Sequence, residues 1–110
     1  MENPYQIQIR HDFMGDDLVI LVTGGVAHIG AVATAYIDND QVHVEVTELP
    51  HHKEGELAKE FAELLARSLH RSVSVLMGIH IDNATKKDIQ QIVDYVQKAI
   101  KETIKELKKR

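Results

Sequence analysis

Residues 24–35 read Gly-Gly-Val-Ala-His-Ile-Gly-Ala-Val-Ala-Thr-Ala, and the placing of this stretch decides the fold. From Gly30 the side chains alternate, with Gly30, Val32, Thr34 and Tyr36 on one face and Ala31, Ala33, Ala35 and Ile37 on the other, because a strand has period two. The alanine face is nearly bare of bulk. It predicts a strand on which another body lies close: a helix first, with a second sheet, a flat ligand or another subunit as alternatives. Gly24-Gly25 tolerates positive φ, so the strand ending near Thr23 is expected to double back there in a tight turn. His28 would then stand at the mouth of the alanine strand.

Working outward, Tyr5, Ile7 and Ile9 alternate with Gln6, Gln8 and Arg10 as a half-buried first strand. Met14-Gly15-Asp16-Asp17 supplies a turn, and the apolar run Leu18 to Val22 reads as a central strand covered on both faces. Beyond the alanine strand, Asp38-Asn39-Asp40 favours a short hairpin into a fourth strand, residues 41–48, with Val42, Val44 and Val46 facing in. After Leu49-Pro50 the period changes to 3.6. Leu57, Phe61, Leu64, Leu65 and Leu69, widened by Ala58, Ala62 and Ala66, predict a helix over about residues 53–69. Period two returns over residues 71–81. Thr85 with Asp88 three positions on has capping-box spacing and predicts a second helix from Lys86 to Lys108, its stripe running from Ile89 to Leu107. At 23 residues and about 1.5 Å each, that helix outruns a small sheet, so its last turns are expected to project or to meet a partner. The order β-β-β-β-α-β-α means an α+β domain with a mainly antiparallel sheet and the helices on one side. Residues 1–110 are read as one domain.

Composition narrows the function. The chain has no cysteine, which excludes a disulfide framework, a thiolate nucleophile and Cys-ligated metal. No apolar run suits a membrane span or a signal peptide, so a cytoplasmic protein without membrane attachment is expected. A net charge of −4 argues against nucleic-acid binding.

Seven histidines invite a metal reading. His43 with Glu45 and His80 with Asp82 could each offer two ligands, yet no His-x-x-x-His spacing occurs and no third ligand is fixed, so no metal is expected. His51-His52 beside Pro50 reads as an exposed loop. Gly24-Gly25 near His28 could cradle an anion through backbone amides. Walker and dinucleotide motifs, a nucleophile elbow and a catalytic triad are all absent. Lys53 and Glu54 at the start of the first helix, and His80, Asp82 and Asn83 at the end of the fifth strand, are the other positions where function would collect. Because strand three begins at the sheet edge where strand four ends, His28 and Lys53 should share that edge. A helical crossover into a fifth strand running the same way as the fourth would bring His80 to them.

Three stretches together, residues 24–33, 49–57 and 78–85, resemble the prenylated-flavin chaperone-like domain family, typified by the small D subunit that accompanies gallate decarboxylase. The resemblance implies a fold similar to proteasome assembly chaperones, a homodimer, and an accessory role toward decarboxylases that use prenylated FMN. It carries over to His28, Lys53, Glu54, His80, Asp82 and Asn83; Ala27 and His51 stand where the family pattern often has proline and glycine. A non-enzymatic protein that delivers, retains or matures prenylated FMN or FMN is the resulting expectation. The alternatives are a small metal-dependent enzyme using His28, His80 and a carboxylate, or a pure assembly module.

Overall fold

The computed structural model describes residues 5–109. The chain runs β1 (Gln8–Met14), β2 (Asp17–Gly25), β3 (Ala31–Asp38), β4 (Gln41–Glu48), α1 (Gly55–Leu69), β5 (Val73–His80) and α2 (Lys86–Lys108), the expected α+β order. The strands make one sheet in the order β1-β2-β5-β3-β4. β2 and β5 are parallel, while β1–β2, β3–β5 and β3–β4 are antiparallel.

Gly24 and Gly25 do not reverse the chain. β2 continues through both, opposite Ile79 and His80 of β5, and β5 is inserted between β2 and β3, so β5 holds the centre that the apolar run of β2 had suggested for itself. Glycine serves crowding here. A Cβ on Gly24 would lie 2.6 Å from Ile7 Cδ1 and 3.1 Å from Ile79 Cγ2. Gly25 has φ +62°, and a Cβ there would run into the His80 carbonyl. The true hairpins are β1–β2, turned by Gly15 at φ 62°, and β3–β4, turned by Asn39 and Asp40 at φ 53° and 62°. β1 starts later than Tyr5, because Gln6 takes φ 55° and breaks the extended run; Ile7 still enters the core.

The alanine strand meets a helix. Ala31, Ala33 and Ala35 of β3 are fully buried beneath α1, and so are Ala58, Ala62 and Ala66 of α1 itself. Small residues on both surfaces let the two backbones approach, while Phe61 and Leu65 supply the bulk. On the same sheet face Leu18, Ile20 and Val22 of β2 and Val73, Val75 and Met77 of β5 join Ile92, Val96 and Ile100 of α2 in one core. Ile104 and Leu107 are buried there too, so the last turns of α2 lie on the core and do not project. Val46 is 40% exposed, since β4 is an edge strand that the helix layer only partly covers.

Among the described residues no element covers the opposite face. Val19, Leu21, Val32 and Leu76 are half-buried at its middle, the Thr34 and Ser74 hydroxyls meet at 2.6 Å, and Tyr36 stacks on His43 with ring centroids 5.3 Å apart. No helix among the described residues is long and apolar enough to cross a membrane.

α2 begins with the capping box its sequence announces. Asp88 N–H donates to Thr85 Oγ1 at 3.1 Å, and Thr85 N–H donates to Asp88 Oδ2 at 2.9 Å. The Tyr5 hydroxyl donates to Asp88 Oδ1 at 2.9 Å, pinning the segment before β1 to the helix. The Thr85 amide, then the Tyr5 hydroxyl, hold the Asp88 carboxyl below its ordinary range, and the Tyr5 phenol is raised, first by desolvation and then by Asp88. A depressed carboxylate stabilises the fold above its unfolded pKa, about 3.9, and loses that contribution as pH falls through the lower folded value. The melting-temperature gap between wild type and Asp88→Ala should therefore be full at neutral pH and close in acid. A gap independent of pH would show that the carboxylate charge contributes nothing.

Candidate functional site

The sheet topology collects one set of chain ends. β2, β5 and β4 all finish, and β3 begins, at the same edge, beyond the carboxyl ends of two parallel strands where open sheets often place ligands. Residues 26–30 cross over the end of β5 to join β2 to β3. Val26 N–H donates to the His80 carbonyl at 3.1 Å, Gly30 N–H to the Met77 carbonyl at 2.9 Å, and Leu49 N–H to the Gly30 carbonyl at 2.9 Å. The crossing is close: the His28 carbonyl occupies the place a Cβ on Gly78 would take.

His28 and His80 come together as their strand positions predict, with ring centroids 6.1 Å apart in an edge-to-face arrangement. Closer still is His52, its ring centroid 4.5 Å from that of His28. His28 Nε2 lies 3.1 Å from His52 Nδ1, while His28 Nδ1 lies 3.1 Å from the Val26 carbonyl oxygen. Glu54 completes the group, its Oε1 lying 3.9 Å from His28 Nε2 and 3.7 Å from His52 Nδ1. The other carboxylate oxygen accepts the Ile79 N–H at 3.0 Å, because β3 pairs with β5 no further than Met77 and leaves that donor without a strand partner. The Glu54 carboxylate lies where a Cβ on Gly30 would stand, so Gly30 makes room for it. The side chains of His28, His52 and Glu54 are 22%, 29% and 17% exposed, sunk in the rim yet open to solvent.

The other predicted positions are distributed around this cluster. His80 Nε2 is engaged with Asp82 Oδ1 at 2.9 Å, on the exposed side. Asn83 is exposed and turns the chain at φ 57°. Lys53 is exposed and, with Glu54, lines a groove of about 730 Å³ between α1 and α2. Gly25 donates its N–H to the Tyr5 carbonyl at 2.9 Å, and Gly24 sits inside the ladder, so this pair offers no open amide cradle. At the start of α1, Gly55 N–H already donates to Glu48 Oε2 at 2.8 Å.

Sequence reasoning missed His52, Glu48, Gly30 and Gly78 as parts of the site. His51-His52 beside proline reads as exposed loop, but His51 takes φ 67° and reverses the chain, leaving His51 outside and turning His52 inward. The nearest sequence signal was the crowding of histidine, lysine and glutamate just before α1.

The α+β fold thus carries a histidine-carboxylate rim at one end of its mixed sheet, with a groove between α1 and α2 beside it. The prenylated flavin chaperone LpdD-like domain family matches residues 1–108, and the chain belongs to that family. It is 33% identical over 88 residues to Protein LpdD of Lactiplantibacillus plantarum, a match covering 77% of this chain and 65% of that relative's length. The three motifs of the resemblance, spread over residues 24–33, 49–57 and 78–85, all contribute to the rim.

Proposed function

We propose that this chain is a non-enzymatic, chaperone-like accessory protein that helps deliver, retain or mature prenylated FMN on a cytoplasmic decarboxylase. The observation that carries the reading is the family match over residues 1–108. The groove between α1 and α2 supports it by size, its volume of about 730 Å³ being within the usual range for small-molecule sites. Leu57, Leu64, Ile79, Ile89 and Ile92 give it an apolar lining, and Ile89 is 53% exposed there. Lys53, Lys59 and Arg67 share the lining with Glu54, Glu56, Glu60 and Glu63, so an anion gains no net attraction from the groove as a whole. What fits is the flat, prenylated ring system, with Lys53 as the cation nearest in sequence to the rim and able to meet the phosphate. When bound, the flavin supplies the chemistry; the residues of this chain would hold and orient it and keep water from its apolar part.

The test is to purify a prenylated-FMN-dependent decarboxylase produced with and without this protein and compare its cofactor content. Higher prenylated-flavin occupancy in the presence of the chain is expected, and equal occupancy would remove the reading. This protein alone should show no decarboxylation.

The same reading includes a homodimer. The half-buried patch of Val19, Leu21, Val32 and Leu76 lies on the sheet face that no helix among the described residues covers, a surface suited to a second copy. Light scattering at micromolar concentration should give twice the chain mass of 12.4 kDa. A monomer mass would contradict this.

A further inference from the structure

We propose that His28, His52 and Glu54 form a binding site for one divalent transition-metal ion, through His28 Nε2, His52 Nδ1 and Glu54 Oε1. The three atoms are mutually separated by 3.1, 3.7 and 3.9 Å. Zinc bound tetrahedrally by imidazole nitrogen and carboxylate oxygen at about 2.0–2.1 Å requires donor separations of roughly 3.3 Å, so an ion enters this triangle with sub-ångström adjustments. Two imidazoles and one carboxylate are also a donor set that suits zinc, iron, cobalt and nickel, and they leave further positions open.

The surroundings of the three ligands fit a metal as well as the ligands do. A carbonyl only accepts, so His28 Nδ1 carries its proton toward the Val26 oxygen, and in the neutral ring Nε2 keeps its lone pair toward the cluster. Metal-bound histidines are commonly oriented by this same donation to a backbone carbonyl. Glu54 is fixed in the same manner, one oxygen accepting the Ile79 N–H and the other left facing the histidines. His52 Nδ1, which lies 3.1 Å from His28 Nε2, must present its lone pair to the ion, and a shift of its proton to Nε2 accomplishes that. The ligands come from the strap between β2 and β3 and from the turn before α1, so the ion would lock α1 to the end of the sheet. The open position faces solvent, where a water or an oxygen donor of a bound ligand completes the shell. Sequence spacing could not show this site, because only the fold brings residue 28 against residues 52 and 54.

The ion site shares all three of its ligands with the rim, but its test contains no flavin and no partner enzyme, so the two readings fail separately. The protein, produced without a histidine tag and stripped with chelator, is titrated calorimetrically with zinc and, in parallel, with cobalt followed by visible absorption. One equivalent of each is expected to bind, with cobalt giving the intense visible bands of a low-coordinate site. Glu54→Gln, whose amide oxygen still accepts the Ile79 N–H, and His52→Ala should each weaken zinc at least tenfold while keeping the wild-type circular dichroism. His43→Ala and His11→Ala, on exposed strand positions away from the rim, should bind as wild type. Absence of stoichiometric binding at millimolar metal would overturn the proposal, as would zinc affinity that His52→Ala and Glu54→Gln leave unchanged.

Discussion

Gly78→Ala is expected to cost several kcal/mol of stability and to dismantle the rim in the same step. The added methyl would occupy the position of the His28 carbonyl, and its neighbours there are backbone atoms of residue 28, not the yielding end of a side chain. Overpacking in a well-packed interior typically costs about 1–3 kcal/mol when side chains can shift. Here the strap over β5 must lift, which also strains the Val26 and Gly30 hydrogen bonds at 3.1 and 2.9 Å that hold it down. Each such bond is worth about 1 kcal/mol net. Urea titration should show a markedly lower midpoint. The imidazole signals of His28 and His52 in proton-nitrogen spectra should change more than those of His11 or His70. A variant with wild-type midpoint and unchanged imidazole signals would mean that the crossing is loose.

Phe61→Ala should be comparably severe for a different reason. Phe61 is 1% exposed and belongs to the group of largest fully buried side chains, within the core that α1 shares with the sheet. Truncating a buried phenylalanine typically costs about 3–5 kcal/mol, the sum of lost transfer free energy and the cavity left behind. Domains of this size are stable by only about 5–15 kcal/mol, so the variant should be partly unfolded under mild denaturation. The cavity cannot readily collapse, because the fully buried alanines of β3 and α1 that share this core offer no long side chain to swing inward. A loss under about 1 kcal/mol by denaturant titration would show that α1 is not the keystone of the core.

Much of the fold was legible because its signals are local. The capping box of Thr85 and Asp88 set the start of α2 to the residue, and the alternation of Ala31, Ala33 and Ala35 announced a buried strand under a helix. The Asn39-Asp40 reversal was likewise a property of neighbouring residues. Gly24-Gly25 misled for the opposite reason. The same residues permit a turn and a crowded strand, and only the side chains of Ile7 and Ile79, more than fifteen and fifty positions away, decide between them. The parallel insertion of β5 between β2 and β3 is also non-local and leaves no mark on the sequence of either neighbour.

The candidate site divides along the same line. The proximity of His28 and His80 followed from counting strand directions, which sequence order and crossover length nearly determine. The role of His52 did not, because it rests on the positive φ of His51, and the loop histidines carry no periodicity to read. Glu54 was singled out for its place at a helix start, whereas its position is set by the Ile79 amide and by the space Gly30 leaves.

The strap over β5 has a kinetic consequence. Because its two ends are pinned to His80 and Met77 by backbone hydrogen bonds, residues 26–30 cannot swing aside as an ordinary surface loop does. Opening them requires breaking the end of the sheet, which places their local unfolding on the scale of the strands and not of a mobile connection. A ligand that binds at the rim would therefore meet a strap that is already ordered, with little chain ordering there to oppose binding. Capture there should be limited by encounter and desolvation, and release by the strength of the contacts, with no gating motion on either path.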